Sequence, residues 1–404
     1  MYLNGYQYLK KREIFLVILL ILFSAVVRIP VILILGDANL ENEWLQLANN
    51  LIDHKGLSMS TVEGLLLPNL WMPPLYVYYI YLFSFFNLEN QNFILLILSS
   101  QIMLASISVG IFYGINKYFF SKKISIFSSL LFSLFPINLY ACSQISTSTL
   151  YVFLAMLFYY YFFKITKNNN FLKIFIFAVT AGLLILTRRE FAGILVLSVA
   201  YLYFFFKIPI KKISLIILIA LITISPYLTR NYLIFDKIII QASFGYNLWK
   251  GNNPNAKVEG SAFMENDLLL QREKIPKDKY YRIVEDKILT NEALKNIESD
   301  PARYLVLFFK KAASFMFVDI ESSDPNYYNP IHYIPLILLG ITSLIGIFLT
   351  DKKSYRLNYL ILIFFFYIIT FSFFFILPRY KLFIIPFQII FTSNLIAHIQ
   401  KRIS

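Results

Sequence analysis

The chain of 404 residues has one cysteine, Cys142, three histidines and only 23 acidic residues against 37 lysines and arginines. One cysteine excludes an internal disulfide, and in its apolar stretch Cys142 reads as a small packed hydrophobe. The histidines, His54, His332 and His398, are scattered without an HxxxH-type spacing, which argues against a histidine metal site. Charged residues make up only 15% of the chain. Neither an internal repeat nor a low-complexity linker is present. The first apolar run, residues 14–35, is too long for a signal-peptide core and has no small-residue cleavage site after it, so it reads as a retained helix.

What is there instead is apolar. Hydrophobic residues reach 58% and aromatics 18%, with a mean hydropathy of +0.64, far above a soluble domain of this length. About 20 helical residues cross a hydrocarbon core of roughly 30 Å, so the recurring apolar runs predict a polytopic, all-α membrane protein. Net charge is +14. The basic groups fall in separate short clusters at alternate span ends: Lys10, Lys11 and Arg12, then Lys117, Lys122 and Lys123, Lys164 and Lys167, Lys207, Lys211 and Lys212, Lys352, Lys353 and Arg356, and Lys401 and Arg402. With no continuous basic surface, nucleic acid is not the partner. Placing these clusters in the cytoplasm gives spans near 14–35, 93–115, 124–141, 148–163, 171–187, 191–206, 213–229, 331–349, 357–377 and 382–399.

That assignment lays two further apolar stretches, about 75–86 and 303–318, at the outer interface; counting both as spans is the alternative and would turn the Lys117 to Lys212 clusters outward. The expected organisation is an N-terminal membrane module over 1–229 with an acidic outer loop at 37–92, an extracytoplasmic subdomain over 230–330, and C-terminal membrane helices over 331–404. The subdomain contains NNPNAK, a charged run from Glu265 to Lys295 of helical composition, and the loop-like SSDPNYYNP.

Polar chemistry gathers on the outer face. Asp37, Glu41 and Glu43 lie at the mouth of the bundle, where a partly dehydrated carboxylate is costly unless it holds a cation, a base role or a basic partner. Spacings of four and two do not all share one helix face, so one of the three is expected to be the catalytic base, the others solvated. Gln144, Thr147 and Ser148 follow span three. Arg188 and Arg189, between spans five and six, serve equally as phosphate ligands or as snorkelling anchors, with Glu190 neutralising one of them. Arg230 and Asn231 follow span seven. Arg379, in the Pro378-Arg379-Tyr380-Lys381 stretch between two long apolar runs, is an outward cation that runs against the positive-inside bias. Ionisable groups in midspan are nearly absent, which weighs against a transporter or a lipid-handling scaffold.

In order, EWLQLANNL, Gly56 and the MPPLY turn, GLLILTRRE, PYLTRNYLIF, SFGYNLWKGNNPNA and PRYKLFIIP resemble the glycosyltransferase family 39 type, the ArnT and protein-mannosyltransferase-like group with the GT-C membrane fold. The resemblance covers most of the chain. It implies a GT-C-like bundle of about 10–12 transmembrane helices in the cell inner (plasma) membrane, with the site facing outward. It further implies a polyprenyl-phosphate-linked sugar as donor and an acceptor hydroxyl on a glycan, lipid or protein, attacked with inversion. Surface-glycan polymerases or ligases, which use similar donors, stay open. Carried over by position, the first-loop acid falls among Glu43, Glu41 and Asp37, with the two glutamates leading. Arg379 and Tyr380 match the late RY pair near the donor phosphate, Arg230 the arginine after span seven, and Asn247, Gly251, Asn252 and Asn253 the site-bordering loop. Many members carry a second acid where this chain reads CSQISTSTLY, with Thr147 or Ser148 near the expected position. Without that second carboxylate no metal ligand set is assigned and a divalent cation is not a firm cofactor, so an inactive or repurposed member is a further alternative.

Overall fold

The computed structural model describes residues 2–40, 42–60, 64–322 and 329–403. Eight apolar helices dominate it: α1 (Tyr2–Leu35), α4 (Asn90–Asn116), α7 (Thr147–Lys167), α8 (Phe171–Thr187), α9 (Phe191–Phe204), α10 (Ile210–Phe235), α15 (Pro330–Phe348) and α16 (Tyr355–Ser372). Of these, α4, α7, α10, α15, α16 and the Lys11–Leu35 stretch of α1 are each long and apolar enough to cross a membrane; α8 and α9 are apolar but shorter. Between the first spans lie α2 (Asn42–Ile52), β1 (Ser58–Ser60), β2 (Leu66–Pro68), α3 (Pro74–Ser84), α5 (Lys122–Leu134) and α6 (Pro136–Ala141). Late in the chain come α11 (Phe244–Gly251), α12 (Asn266–Glu273), α13 (Tyr281–Ser299), α14 (Pro301–Met316), a 3-10 turn at Pro378–Phe383 and α17 (Ile385–Ile403).

The apolar pattern is all-round rather than one-faced on several of these helices, as burial inside a bundle requires. Helix α7 is the most enclosed, packed between α4 and α8, while α1 and α10 lie further out and expose most of their apolar surface. Aromatic rings fill the space between α7 and α16: Phe162 stacks on Tyr359 at 3.7 Å, and the hydroxyls of Tyr151 and Tyr367 are 2.5 Å apart. Closest approach of backbones needs a missing Cβ. One built on Gly346 of α15 would lie 1.8 Å from the carbonyl oxygen of Phe391 on α17, and the same contact is fixed by Asn394 Nδ2 donating to Gly346 O at 2.9 Å.

Three sequence expectations change in the structure. The span expected at 124–141 is two helices, because Pro136 cannot donate a backbone N–H and Phe135 before it turns extended (φ −65°, ψ 125°). The last expected span begins with the 3-10 turn, again at a proline, Pro378. One charge does lie inside a span: Arg28 of α1 is fully buried, with Nη1 on Ser24 and Ser133, while its Nε and Nη2 have no hydrogen-bond partner among the described residues. The all-α expectation also gains a short antiparallel hairpin in the first loop, Ser58 opposite Pro68 and Ser60 opposite Leu66.

Loops gather at one end of the bundle. Ala242 N–H donates to Leu70 O at 2.8 Å, Gln241 Nε2 to Trp71 O at 2.5 Å, and Trp71 meets Tyr246 edge-on at 4.8 Å, so the first loop and the α10–α15 block form one cap. Helix α14 exposes Leu305, Val306 and Phe309 and buries Leu307 and Lys311, the profile of a helix lying along an interface. Two buried lysines hold the cap to the bundle. Lys381 Nζ donates to the carbonyls of Ser314, Phe315 and Phe317, where α14 ends, and Lys311 Nζ donates to Gly251 O at 2.7 Å, where α11 ends. Each satisfies carbonyls that a helix end leaves open.

Replacing Lys381 by Met leaves those carbonyls buried and unsatisfied, and is expected to lower stability by about 1–3 kcal/mol, read as a drop in Tm of the detergent-solubilised protein; an unchanged Tm removes the pinning role. Burial pushes both lysines down to about 7 from the ordinary 10.5. Between those values the unfolded chain binds more protons than the folded one, so stability is expected to rise as pH increases through that window. Comparing Tm at neutral and alkaline pH checks the sign, and the Lys381→Met variant is expected to show a shallower rise.

Candidate active site

The site is built around the start of α7. The turn before it, residues 142–146, is tied to the end of α1: Asp37 N–H donates to Ser143 O at 3.0 Å, and Ile145 N–H donates to Asp37 Oδ2 at 2.6 Å. Gln144 Nε2 reaches back to Leu35 O at 3.0 Å. Below them Tyr76 Oη donates to Gln101 Oε1 at 2.9 Å, and Gln101 Nε2 donates to the carbonyls of Cys142 and Gln144. Asp37 is half-buried and within electrostatic reach of Tyr76 and Tyr140. A backbone N–H on one oxygen favours the ionised carboxylate and fixes its plane.

On the same end of α7, the 3-10 turn Pro378–Phe383 packs against α6 and α7. Tyr380 stands there as an aromatic post among cations. The Arg188 guanidinium lies 5.1 Å from its ring and 4.7 Å from Phe383; Arg379 lies 5.8 Å from the Tyr380 ring; and Lys250 Nζ sits 4.6 Å over the neighbouring ring of Phe375. Rings hold guanidinium and ammonium groups without using their N–H donors. Arg188 is bound through Nε to Glu190 at 2.6 Å, and its two Nη groups make no hydrogen bond to a described residue. Burial opposes the charge on both partners, yet the pair outweighs it: Glu190 then Tyr380 raise Arg188 above its ordinary value, and Arg188 holds Glu190 below the usual carboxylate range. Lys250 is pushed down by burial and then by the like charge of Arg379. Arg188 and Arg379 on Tyr380 and Lys250 on the neighbouring Phe375 gather three cations whose free donors, among the described residues, suit a phosphate.

Other sequence-expected residues take different places. Glu43, in the first turn of α2, is half-buried and within reach of Tyr246 rather than of the α7 junction. Glu41 lies outside the described residues. Arg230 directs its donors to Asn69 O, Leu57 O and Asn231 Oδ1 at 2.7–3.1 Å, which holds both sides of the first-loop hairpin. Arg189 donates to Gln241 O at 2.8 Å and lies over Phe244; burial lowers its pKa, opposed by Glu190 and Asp286. Asn252 bridges Leu248 O and Phe373 O, Asn253 closes its loop onto Ser261 O, and Gly251 meets the Phe374 carbonyl so closely that a Cβ would lie 1.9 Å from it. Asn247 is half-buried, with no side-chain hydrogen bond to a described residue. Lys250, inside the LWKGNN stretch, was not singled out from sequence; its signal was a cation between two motif residues. Among the described residues no three His, Cys, Asp or Glu side chains converge as a metal site.

Residues 72–229 match the model of the family described as dolichyl-phosphate-mannose-protein mannosyltransferase. No curated protein matches the chain. Among solved structures, the chain is similar to the archaeal oligosaccharyltransferase AglB from Archaeoglobus fulgidus in complex with an inhibitory peptide and a dolichol-phosphate, at a TM-score of 0.55 and 12% identity, covering 96% of this chain and 50% of that one. It is likewise similar to the Archaeoglobus fulgidus oligosaccharyltransferase tethered to an acceptor peptide (TM-score 0.58, 11% identity, 96% and 50%) and to the same organism's enzyme in complex with Zn and sulfate (TM-score 0.56, 11% identity, 95% and 49%). The chain thus spans about half the length of these solved relatives. It is a multi-pass membrane protein with six candidate spans among the described residues, similar in fold to these oligosaccharyltransferases, and its residues 72–229 match the dolichyl-phosphate-mannose-protein mannosyltransferase model.

Proposed function

We propose that the chain is a membrane glycosyltransferase that moves a sugar from a polyprenyl-phosphate donor to an acceptor hydroxyl at the loop end of the bundle. The observation that carries this reading is the cradle around Tyr380, where Arg188, Arg379 and Lys250 are held on aromatic rings with hydrogen-bond donors unspent. A lipid-linked donor enters from the bilayer, and its phosphate meets these cations at the boundary, where guanidinium groups stay charged. Glu190 orients Arg188 through its Nε, leaving the Nη pair for phosphate oxygens.

Of the first-loop acids, Asp37 has the environment suited to the base. Its carboxylate is oriented by the Ile145 N–H at the start of α7, and the 3-10 turn that carries Tyr380 packs on α6 and α7 beside it. In the proposed step the acceptor O–H gives its proton to Asp37, the acceptor oxygen bonds to the anomeric carbon, and the bond from that carbon to the donor phosphate oxygen breaks with inversion. Polyprenyl phosphate leaves with the electron pair, its developing charge spread over Arg188, Arg379 and Lys250. Positioning supplies the remainder of the barrier reduction. The lysine-rich helix ends then face the cytoplasm and the cap of residues 37–89 and 236–329 faces outward, in the inner membrane of the cell.

Transfer from a panel of radiolabelled polyprenyl-phosphate sugars by the purified protein tests the reading. Asp37→Asn is expected to reduce transfer by about 10²–10⁴-fold, the usual weight of a general base, while Glu43→Gln retains most of it; the reverse ranking moves the base to α2. Arg188→Ala and Lys250→Gln are expected to raise KM for the donor and lower kcat together, because they contact the phosphate in both ground and transition states. An absence of transfer from every donor, in a protein that still binds polyprenyl phosphate, sinks the enzymatic reading.

A further inference from the structure

At the end of the bundle away from the cap, a cleft of about 730 Å³ opens between the turn after α4, the start of α5, the α15–α16 turn and the last turns of α17. Three permanent cations line it, Lys353, Arg356 and Lys401, and no carboxylate does. The nearest acid in sequence, Asp351, accepts the backbone N–H of Lys353 at 2.9 Å and so closes the turn. His398 bonds through Nδ1 to Asn394 O at 3.0 Å, which leaves its other ring nitrogen for the cleft. Arg356 makes only a 3.4 Å contact from Nε to Thr166 Oγ1, with its guanidinium 5.8 Å from the Tyr118 ring. On the opposite face of the chemistry, Phe119, Phe120, Phe206 and Leu357 supply an apolar wall.

An uncompensated triple charge in a partly enclosed cleft is unfavourable unless an anion occupies it. Two features select the kind of anion. The cleft sits where span ends carry Tyr118, Tyr355 and the stacked pair Lys167 and Tyr118, 4.5 Å from ammonium to ring, the side-chain mixture of headgroup depth. The same cleft is lined by Phe119, Phe120, Phe206 and Leu357 beside its cations, the pairing of apolar and charged surface that an amphiphile needs and a free anion does not. We propose that this cleft binds the phosphate headgroup of an anionic membrane phospholipid, with Lys353, Arg356 and Lys401 around the phosphate and its acyl chains along the aromatic wall. The site is separate from the cradle around Tyr380 and stands whether or not transfer is observed there.

Native mass spectrometry of the full chain in neutral detergent, titrated with phosphatidylglycerol, phosphatidylcholine or inorganic phosphate, tests it. Each cation is expected to contribute about fivefold to binding of an anionic headgroup, so Lys353→Gln/Lys401→Gln, two exposed positions, is expected to weaken phosphatidylglycerol about 25-fold and leave phosphatidylcholine unchanged. Arg356→Gln is expected to add a further loss. Wild-type affinity for phosphatidylglycerol in the double variant overturns the proposal, as does equal binding of phosphatidylcholine. Displacement of phosphatidylglycerol by an equimolar amount of inorganic phosphate also overturns it, making the cleft a site for a soluble anion.

Discussion

In a bilayer no water is at hand to satisfy a backbone carbonyl that leaves its helix, and each one left bare costs several kcal/mol. Several departures from regular helix among the described residues are met by a side-chain donor from elsewhere in the chain. Gln101 serves the α6–α7 junction, Arg230 the hairpin, Lys311 the end of α11, Asn252 the end of α16, and Lys381 the end of α14. The irregular backbone at the cap end is held by these bonds, and it carries Asp37, tied to Ile145 before α7, and Tyr380, on the 3-10 turn that packs against α6 and α7.

The same constraint divides the cations into two populations. Arg230, Lys311 and Lys381 give their N–H groups to carbonyls and hold the fold. Arg188, Arg379 and Lys250 rest on the faces of Tyr380, Phe383 and Phe375 and keep donors available. A charged residue at the mouth of a membrane bundle is thus classified by what its donors touch, not by its position relative to the apolar runs. The ion pair fits this division: Glu190 orients Arg188 through Nε alone and leaves the Nη pair unconsumed.

Legibility from sequence followed the range of the interactions involved. The long spans and the polar block after α10 depend on local hydropathy, and were readable. The broken span at Pro136 depends on one residue inside an apolar run, where hydropathy averages over it. Arg28 was overlooked for the same reason: the long apolar run around it hides one guanidinium whose burial against Ser24 and Ser133 only packing reveals. The grouping of Arg188 with Tyr380, and of Lys250 with Phe375, joins residues more than a hundred positions apart along the chain. Motif spacing names such residues one at a time and does not show which share a ring. The bond from Ile145 N–H that orients Asp37 likewise comes from more than a hundred residues downstream.

The two attachments of the first loop have an evolutionary consequence. Asp37 is stapled to the 143–145 turn at its start, and Leu57 and Asn69 are stapled by Arg230 at its end. Between them α2 is packed as well, with Leu47 and Ala48 fully buried and Trp44 edge-on to Tyr76 at 5.0 Å. New side chains at its exposed positions Leu45 and Asn49 can therefore accumulate over generations at the mouth of the bundle without shifting the acid at its root.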